Sequence, residues 1–149
     1  INKDSKERVR VDILRGKNLS ELFGDTINYE RAWELAYFLE YGPKKGMSED
    51  LLQEILFMKT LDTREAKRFN KACSMSNEEL TVSNLFKQAV KLNIIKFNGN
   101  DKTYFRGGLN YRETEEDSIK LLMADSMSVE LAQLREVVNK KARTVKNLS

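Results

Sequence analysis

Few residues in this sequence could perform acid–base or nucleophilic chemistry. Histidine is absent, which removes the commonest general base and the commonest metal ligand. Cys73 is the single cysteine, so the chain can form neither an internal disulfide nor a cysteine-rich zinc site. Its thiol falls on the apolar stripe of a predicted helix, where cysteine usually packs as a small hydrophobe. The sequence therefore predicts a protein that is not an enzyme and has no metal or other cofactor.

Two further stretches have the residue types of ligand sites without the right arrangement. The densest acidic cluster, from Glu113 to Asp117, falls where a helix is predicted to begin, and carboxylates there interact favourably with the helix dipole. The loop Gly42–Gly46 is basic and flanked by glycines, but it lacks the spacing of a phosphate-binding loop. Neither stretch predicts a magnesium or nucleotide site.

Length and composition are those of a globular protein. The 149 residues match one ordinary domain, and 40% hydrophobic with 33% charged residues suits a helical protein with a charged surface. No apolar run approaches the roughly 20 residues of a membrane span, and the first residues lack the apolar core of a signal peptide. We therefore expect an intracellular protein of the cytoplasm or nucleus, with a reduced cysteine and no membrane partner.

The net charge of +3 is modest, but the charges are unevenly distributed. Residues 1–17 carry +3, and residues 81–107 carry +4. Residues 113–130 carry −5, and residues 131–149 return to +4. Such blocks are typical of solvated helix faces, and basic blocks are also typical of surfaces that bind nucleic-acid phosphates.

Apolar periodicity and capping residues predict helices through the first half of the chain. The sequence of residues 1–24 is compatible with either a strand or a short helix, and the secondary structure of this region is left open. The strand is suggested by the alternation of apolar residues from Val9 to Ile13. A helix is predicted over Tyr29–Tyr41, ended by Gly42 and Pro43. Three further helices are each predicted to begin at a capping residue, namely Ser48, Asp62 and Ser76.

A β-hairpin is predicted after the last of these helices. Asn93 tolerates the left-handed conformation that ends helices. Two β-rich runs, Ile94–Phe97 and Lys102–Arg106, flank the segment Asn98–Asp101, whose Asn-Gly pair favours a tight turn.

The last part of the chain is predicted to be helical. The segment from Thr114 to about Lys146 contains neither glycine nor proline, and its apolar residues recur at helical spacing. It is predicted to form one long helix or two helices separated near Ser126–Ser128, with Ser128 as a cap.

These elements predict a mainly α protein with one small antiparallel β-hairpin. The helix, helix, hairpin order from Asp62 to Gly107 resembles the winged-helix pattern, a variant of the helix-turn-helix, over about a third of the chain. The predicted organisation is a basic N-terminal segment over residues 1–27, a winged-helix-like domain over 28–112 and a C-terminal helical segment over 113–149.

The resemblance implies nucleic-acid binding. In winged-helix domains the second helix enters the major groove and a basic wing contacts phosphates. Val82–Lys91 would be the recognition helix, with amide and lysine side chains that can pair with base edges. Asn98–Lys102 would be the wing tip, with Tyr104 able to stack or pack. The predicted contacts are Ser83, Asn84, Lys87, Gln88 and Lys91 on the helix and Lys96, Lys102 and Arg106 on the wing.

The sequence thus predicts a nucleic-acid-binding protein, for DNA before RNA, that acts in transcription or replication regulation within a larger assembly. The alternative is a protein–protein interaction module, because winged-helix domains also serve as scaffolds. In that case residues 113–149, acidic first and basic later, would bind a partner helix or a second copy of the chain. Salt separates the two hypotheses, because phosphate binding weakens steeply with salt whereas helix packing is much less sensitive.

Overall fold

The computed structural model describes residues 3–148 and the side chains of residues 3–144. Over this range the chain is mainly helical with a small antiparallel sheet, which confirms the predicted fold class at that level. The chain divides into two compact units, Ile1–Leu80 and Thr81–Ser149. Among residues 3–148 there is no helix with both the length and the apolar character that a membrane span requires.

The first unit is entirely helical in its described part. It contains α1 (Lys3–Phe23), α2 (Tyr29–Phe38), α3 (Glu49–Lys59), α4 (Thr63–Cys73) and the first turn of α5 (Asn77–Lys91). Its core joins residues of all five helices, with Phe69, Leu35, Leu52 and Leu56 among the fully buried side chains.

The second unit begins with the remainder of α5 and continues with a sheet and two helices. The strands are β1 (Lys96–Asn98), β2 (Thr103–Arg106) and β3 (Leu109–Asn110), antiparallel in the order β1-β2-β3. Helix α6 (Glu115–Leu122), a 3-10 turn (Asp125–Met127) and α7 (Ser128–Leu148) follow. Phe86 from α5, Ile95 and Tyr111 from around the sheet, Leu122 from α6 and Leu134 from α7 share one core.

The local capping predictions are confirmed. Side-chain oxygens of Ser48, Asp62 and Ser76 each accept a hydrogen bond from a backbone N–H in the first turn of α3, α4 and α5. Asn93 adopts a left-handed conformation with φ of 60° beyond the end of α5. These signals depend only on residues within one turn of each other, so the sequence specifies them directly.

Other boundaries differ from the predictions. The open region 1–24 forms the long helix α1, apart from its first two residues, which lie outside the described range. Helix α2 ends at Phe38, before Gly42, because Glu40 takes a left-handed conformation and Tyr41 N–H donates to the carbonyl of Ala36 at 2.9 Å. The C-terminal segment forms two helices separated by a 3-10 turn over Asp125–Met127, which is one of the two predicted alternatives.

The boundary between the two compact units falls after Leu80, whereas the predicted domain limits at residues 27 and 112 remain a prediction. Helix α1 belongs to the first unit, because Leu19 and Leu22 join the same core as α2 to α4. The C-terminal helices belong to the second unit, because Ile119 and Leu134 join the core of the sheet. The predicted pairing of α4 and α5 in one winged-helix-like domain therefore crosses the boundary between the two units.

Arg15 fixes the end of α3 in the first unit. Its side chain is buried although it carries a charge, with only 6% of the residue exposed. Nη2 donates to the carbonyl of Phe57 at 2.7 Å, and Nε donates to Oγ1 of Thr60 at 2.8 Å. The guanidinium also lies 4.7 Å from the centre of the Phe57 ring. A cation at this position satisfies a carbonyl that the helix leaves unpaired and interacts favourably with the negative end of its dipole.

We expect Arg15→Ala to lower the free energy of unfolding by about 2 kcal/mol or more, because two hydrogen bonds from a buried charged group are lost. Arg10→Ala is the matched control, since Arg10 is exposed on the same helix and the same side chain is removed. The two variants are compared by urea denaturation followed by circular dichroism. Equal losses of stability in both variants would contradict the role assigned to Arg15.

Candidate nucleic-acid interface

The predicted hairpin is present, with its four-residue loop shifted by one residue from the predicted segment Asn98–Asp101. The paired residues are Lys96 with Phe105, Phe97 with Tyr104 and Asn98 with Thr103, so residues 99–102 form a four-residue loop. Oδ1 of Asn98 accepts from the backbone N–H of Asn100 at 2.9 Å and from that of Asp101. Lys102 carries the left-handed conformation, with φ of 53°. The side chain of Lys102 is exposed at the tip.

The two faces of the hairpin have different surroundings, because side chains alternate along a strand. Tyr104 lies on the face that packs on α5, where its ring meets that of the buried Phe86 edge-on at 5.3 Å. Phe97 is on the same face and meets Tyr104 at 5.0 Å. Lys96 is on the other face and is exposed. Of the predicted wing cations, Lys96 and Lys102 are therefore accessible.

Arg106 is engaged within the unit. Its Nε and Nη2 donate to the two carboxylate oxygens of Glu130 on α7, at 2.9 and 2.7 Å. Tyr111 Oη also donates to Glu130, at 2.6 Å. The phosphate contact predicted for Arg106 remains a prediction, but the carboxylate bound along one edge of its guanidinium neutralises the charge that such a contact would use. Arg106 follows Tyr104 by two residues, so both side chains lie on the same face of β2. This spacing was the sequence signal for the inward position of Arg106.

The contacts within this cluster shift the pKa values of Glu130, Arg106 and Tyr111. Burial raises the pKa of the Glu130 carboxyl, but hydrogen bonds from Arg106 and Tyr111 outweigh burial and hold that pKa below its usual 4.5. The hydrogen bond with Glu130 raises the pKa of Arg106. Burial, followed by the hydrogen bond to Glu130, raises the pKa of Tyr111. Glu130 therefore stays ionised and ties the sheet to α7.

The predicted recognition helix is buried along its middle. Ser83 and Asn84, expected to face solvent, are only 4% and 5% exposed, and residues 82–86 are buried without interruption. This corrects their assignment as exposed base contacts, because a helix needs an open face to enter a groove. Lys87 and Gln88 are partly buried, and both Lys87 and Lys91 already have interaction partners. The periodicity of the apolar residues predicted one buried stripe on this helix. It did not predict that other sides of the helix are also packed against the unit.

A side chain of α7 contacts the segment that follows α5. Nζ of Lys141 donates to the carbonyl of Leu92, the residue that follows α5. This contact brings the second half of α7 to the segment that follows α5, 49 residues away in sequence. We call the exposed cations of these two segments the basic end; they are Lys91, Lys96, Lys140, Lys141 and Arg143. The side chain of Lys146, counted in the same basic stretch, lies outside the described residues.

The sequence indicated the two halves of the basic end as separate stretches and could not join them. The partner of Lys141 is a backbone carbonyl, which every residue possesses, so no residue type marks it in advance. A carbonyl also leaves the ammonium charge in place, unlike the carboxylate that neutralises Arg106. Lys141 therefore keeps its positive charge.

The formal charges of the two units differ. The first unit has 14 basic and 15 acidic residues, whereas the second has 12 basic and 8 acidic residues. Three acidic residues of the second unit interact with the start of a helix. Glu115, Glu116 and Asp117 occupy the first turn of α6 behind the capping residue Thr114, which confirms that this cluster sits at a helix start. The excess of positive charge in the second unit is thus carried mainly by its basic end and hairpin.

Cys73 packs at the edge of the first unit's core. Burial raises the pKa of its thiol to about 12, so it is protonated at neutral pH and is a poor nucleophile. Among the described residues, no three acidic or cysteine side chains converge as metal ligands would.

Comparison with protein-family models, with curated proteins and with solved structures finds no match to this chain. Its function must therefore be inferred from its own residues.

We expect Glu130→Gln to destabilise the protein by about 2 kcal/mol at pH 7, because a charged hydrogen-bond acceptor is lost. The pKa of Glu130 is lower when folded than when unfolded, so its stabilising effect is present above about pH 4.5 and is lost as the pH falls through the folded pKa. The difference between wild type and variant should therefore shrink at pH 3.

Urea denaturation at pH 7 and pH 3 measures this difference. Glu136→Gln is the control, since Glu136 is exposed on the same helix. A difference that is as large at pH 3 as at pH 7 would contradict an ionic role for Glu130.

Proposed function

We propose that the second unit, Thr81–Ser149, binds nucleic acid without catalysing a reaction, with DNA as the expected ligand. The observation that supports this proposal is the contact of Lys141 with Leu92, which brings together two segments that carry exposed cations. In this proposal the unit acts within a regulatory or replication assembly.

The chemistry of the basic end suits phosphate binding. Lysine ammonium groups that lie in solvent attract phosphates, and binding releases the counterions condensed on the nucleic acid. This term is independent of sequence and typically gives dissociation constants of about 10⁻⁴ to 10⁻⁶ M. The modest net charge of the whole chain does not oppose this proposal, because the first unit contributes no positive excess.

The proposal keeps only part of the winged-helix-like interpretation. A helix followed by a hairpin remains, and the exposed position of Lys102 at the hairpin tip supports a wing-like contact. Base reading by the middle of α5 is not proposed, because residues 82–86 are buried. The proposed contacts are Lys91, Lys96, Lys102, Lys140, Lys141 and Arg143, with Gln88 at the margin.

A second candidate is a protein-interaction module that uses α7. Val129 and Val137 are 69% and 37% exposed on this helix, which is unusual for valine and would suit a partner's apolar surface. Binding through these residues would be nearly independent of salt, whereas binding through the basic end would not.

The test is fluorescence anisotropy with labelled oligonucleotides at two or more salt concentrations. We expect Lys96→Gln, Lys102→Gln, Lys140→Gln in combination to weaken binding at least about tenfold at low salt. The slope of log K against log salt should fall by about 2, since each phosphate contact contributes about 0.7 to 0.9.

The matched control is Lys6→Gln, Lys44→Gln, Lys45→Gln, which removes three exposed lysines from the first unit and changes the net charge equally. We expect this control to bind nearly as the wild type does. Equal weakening in both triple variants would show a general charge effect and contradict the assigned surface. No binding of the wild type at low salt would overturn the proposed function.

A further inference from the structure

Phe97 is the outer end of a chain of aromatic rings that extends from the core of the second unit to its surface. Phe86 is fully buried and contacts Tyr111 at 6.2 Å and Tyr104 at 5.3 Å between ring centres. Tyr104 in turn contacts Phe97 at 5.0 Å, with an angle of 64° between the rings. Phe97 itself is 50% exposed. An apolar ring is thus held at the surface by an edge-to-face contact on its inner side.

The surroundings of Phe97 make this exposed ring suited to an anionic, aromatic ligand. Lys102 lies exposed at the tip of the same hairpin, and Lys96, which precedes Phe97 in β1, is exposed on the opposite face. Asp101 is the one acidic residue of this hairpin, and its carboxylate accepts a hydrogen bond from Nδ2 of Asn98 at 3.1 Å. A nucleic-acid strand that brings a base to Phe97 would therefore meet a hairpin with two exposed cations, to which the phosphates of neighbouring nucleotides could bind.

We propose that Phe97 is a stacking platform for an unpaired base, so that the second unit binds single-stranded nucleic acid in preference to duplex. This inference rests on the proposed function. Stacking of a base on an aromatic side chain contributes about 1 to 3 kcal/mol and is available to any base, since every base has a π-face. In a duplex the bases are already stacked on each other, so Phe97 gives no comparable gain. The contact of Phe97 with Tyr104 restricts the ring before binding, which lowers the entropic cost of stacking.

The test compares binding of a labelled 15-nucleotide oligo-dT with that of a 15-base-pair duplex, at one low salt concentration. We expect the wild type to bind the single strand more tightly. Phe97→Leu keeps an apolar side chain but removes the π-face, and it should weaken single-strand binding about fivefold to a hundredfold while leaving duplex binding within about twofold. Phe97→Trp should retain single-strand binding.

A second readout separates stacking from a structural role. The added indole of Phe97→Trp should lose fluorescence when excess oligo-dT is bound, beyond any change of the wild type, which contains Trp33 alone. Thermal unfolding of Phe97→Leu should stay close to that of the wild type, because half of this side chain is already in solvent.

The outcomes distinguish this inference from the proposed function. If Phe97→Leu binds the single strand as the wild type does while the lysine variant loses binding, the stacking platform is overturned and the proposed function stands. If Phe97→Leu loses single-strand and duplex binding equally, its role is structural and the inference is again overturned. If the wild type binds neither ligand, the proposed function fails and the inference fails with it.

Discussion

Helix ends in this protein are held by cations that come from distant parts of the chain. An α-helix leaves its last carbonyls without partners, and these must be satisfied where water is excluded. Arg15 donates to Phe57 at the end of α3, Arg31 donates to Cys73 at the end of α4, and Lys141 donates to Leu92 beyond α5. Each contact satisfies a carbonyl at or just beyond the end of a helix and holds a distant segment beside it, and the proposed functional surface depends on the third.

The partner of each cation decides whether its charge remains available. Arg106 faces the carboxylate of Glu130, so the pair is neutral and its effect is to join β2 to α7. Lys141 faces a carbonyl, so its charge persists and adds to that of its exposed neighbours Lys140 and Arg143. Arg106 therefore contributes to the stability of the second unit, whereas Lys141 keeps a positive charge at its surface.

The sequence predicted what depends on near neighbours and failed where distant segments meet. The caps at Ser48, Asp62 and Ser76 and the left-handed Asn93 were predictable, because one turn of chain contains both partners. The hairpin was predictable from its β-rich runs, although its register was not. The burial of Ser83 and Asn84 was not predictable, because polar residues on a helix normally face solvent and only tertiary packing reverses this. The basic end was also beyond the sequence, because its joining contact uses a backbone carbonyl.

The central claim is that the basic end and the hairpin form one nucleic-acid-binding surface. The most direct measurement is a nitrogen-15 NMR titration of the whole chain with oligo-dT, which reports each backbone amide separately. We predict that the largest shift changes fall within residues 91–103 and 139–144 and that they diminish as salt is added. Changes concentrated in residues 3–80, or changes that persist unchanged at high salt, would contradict the claim.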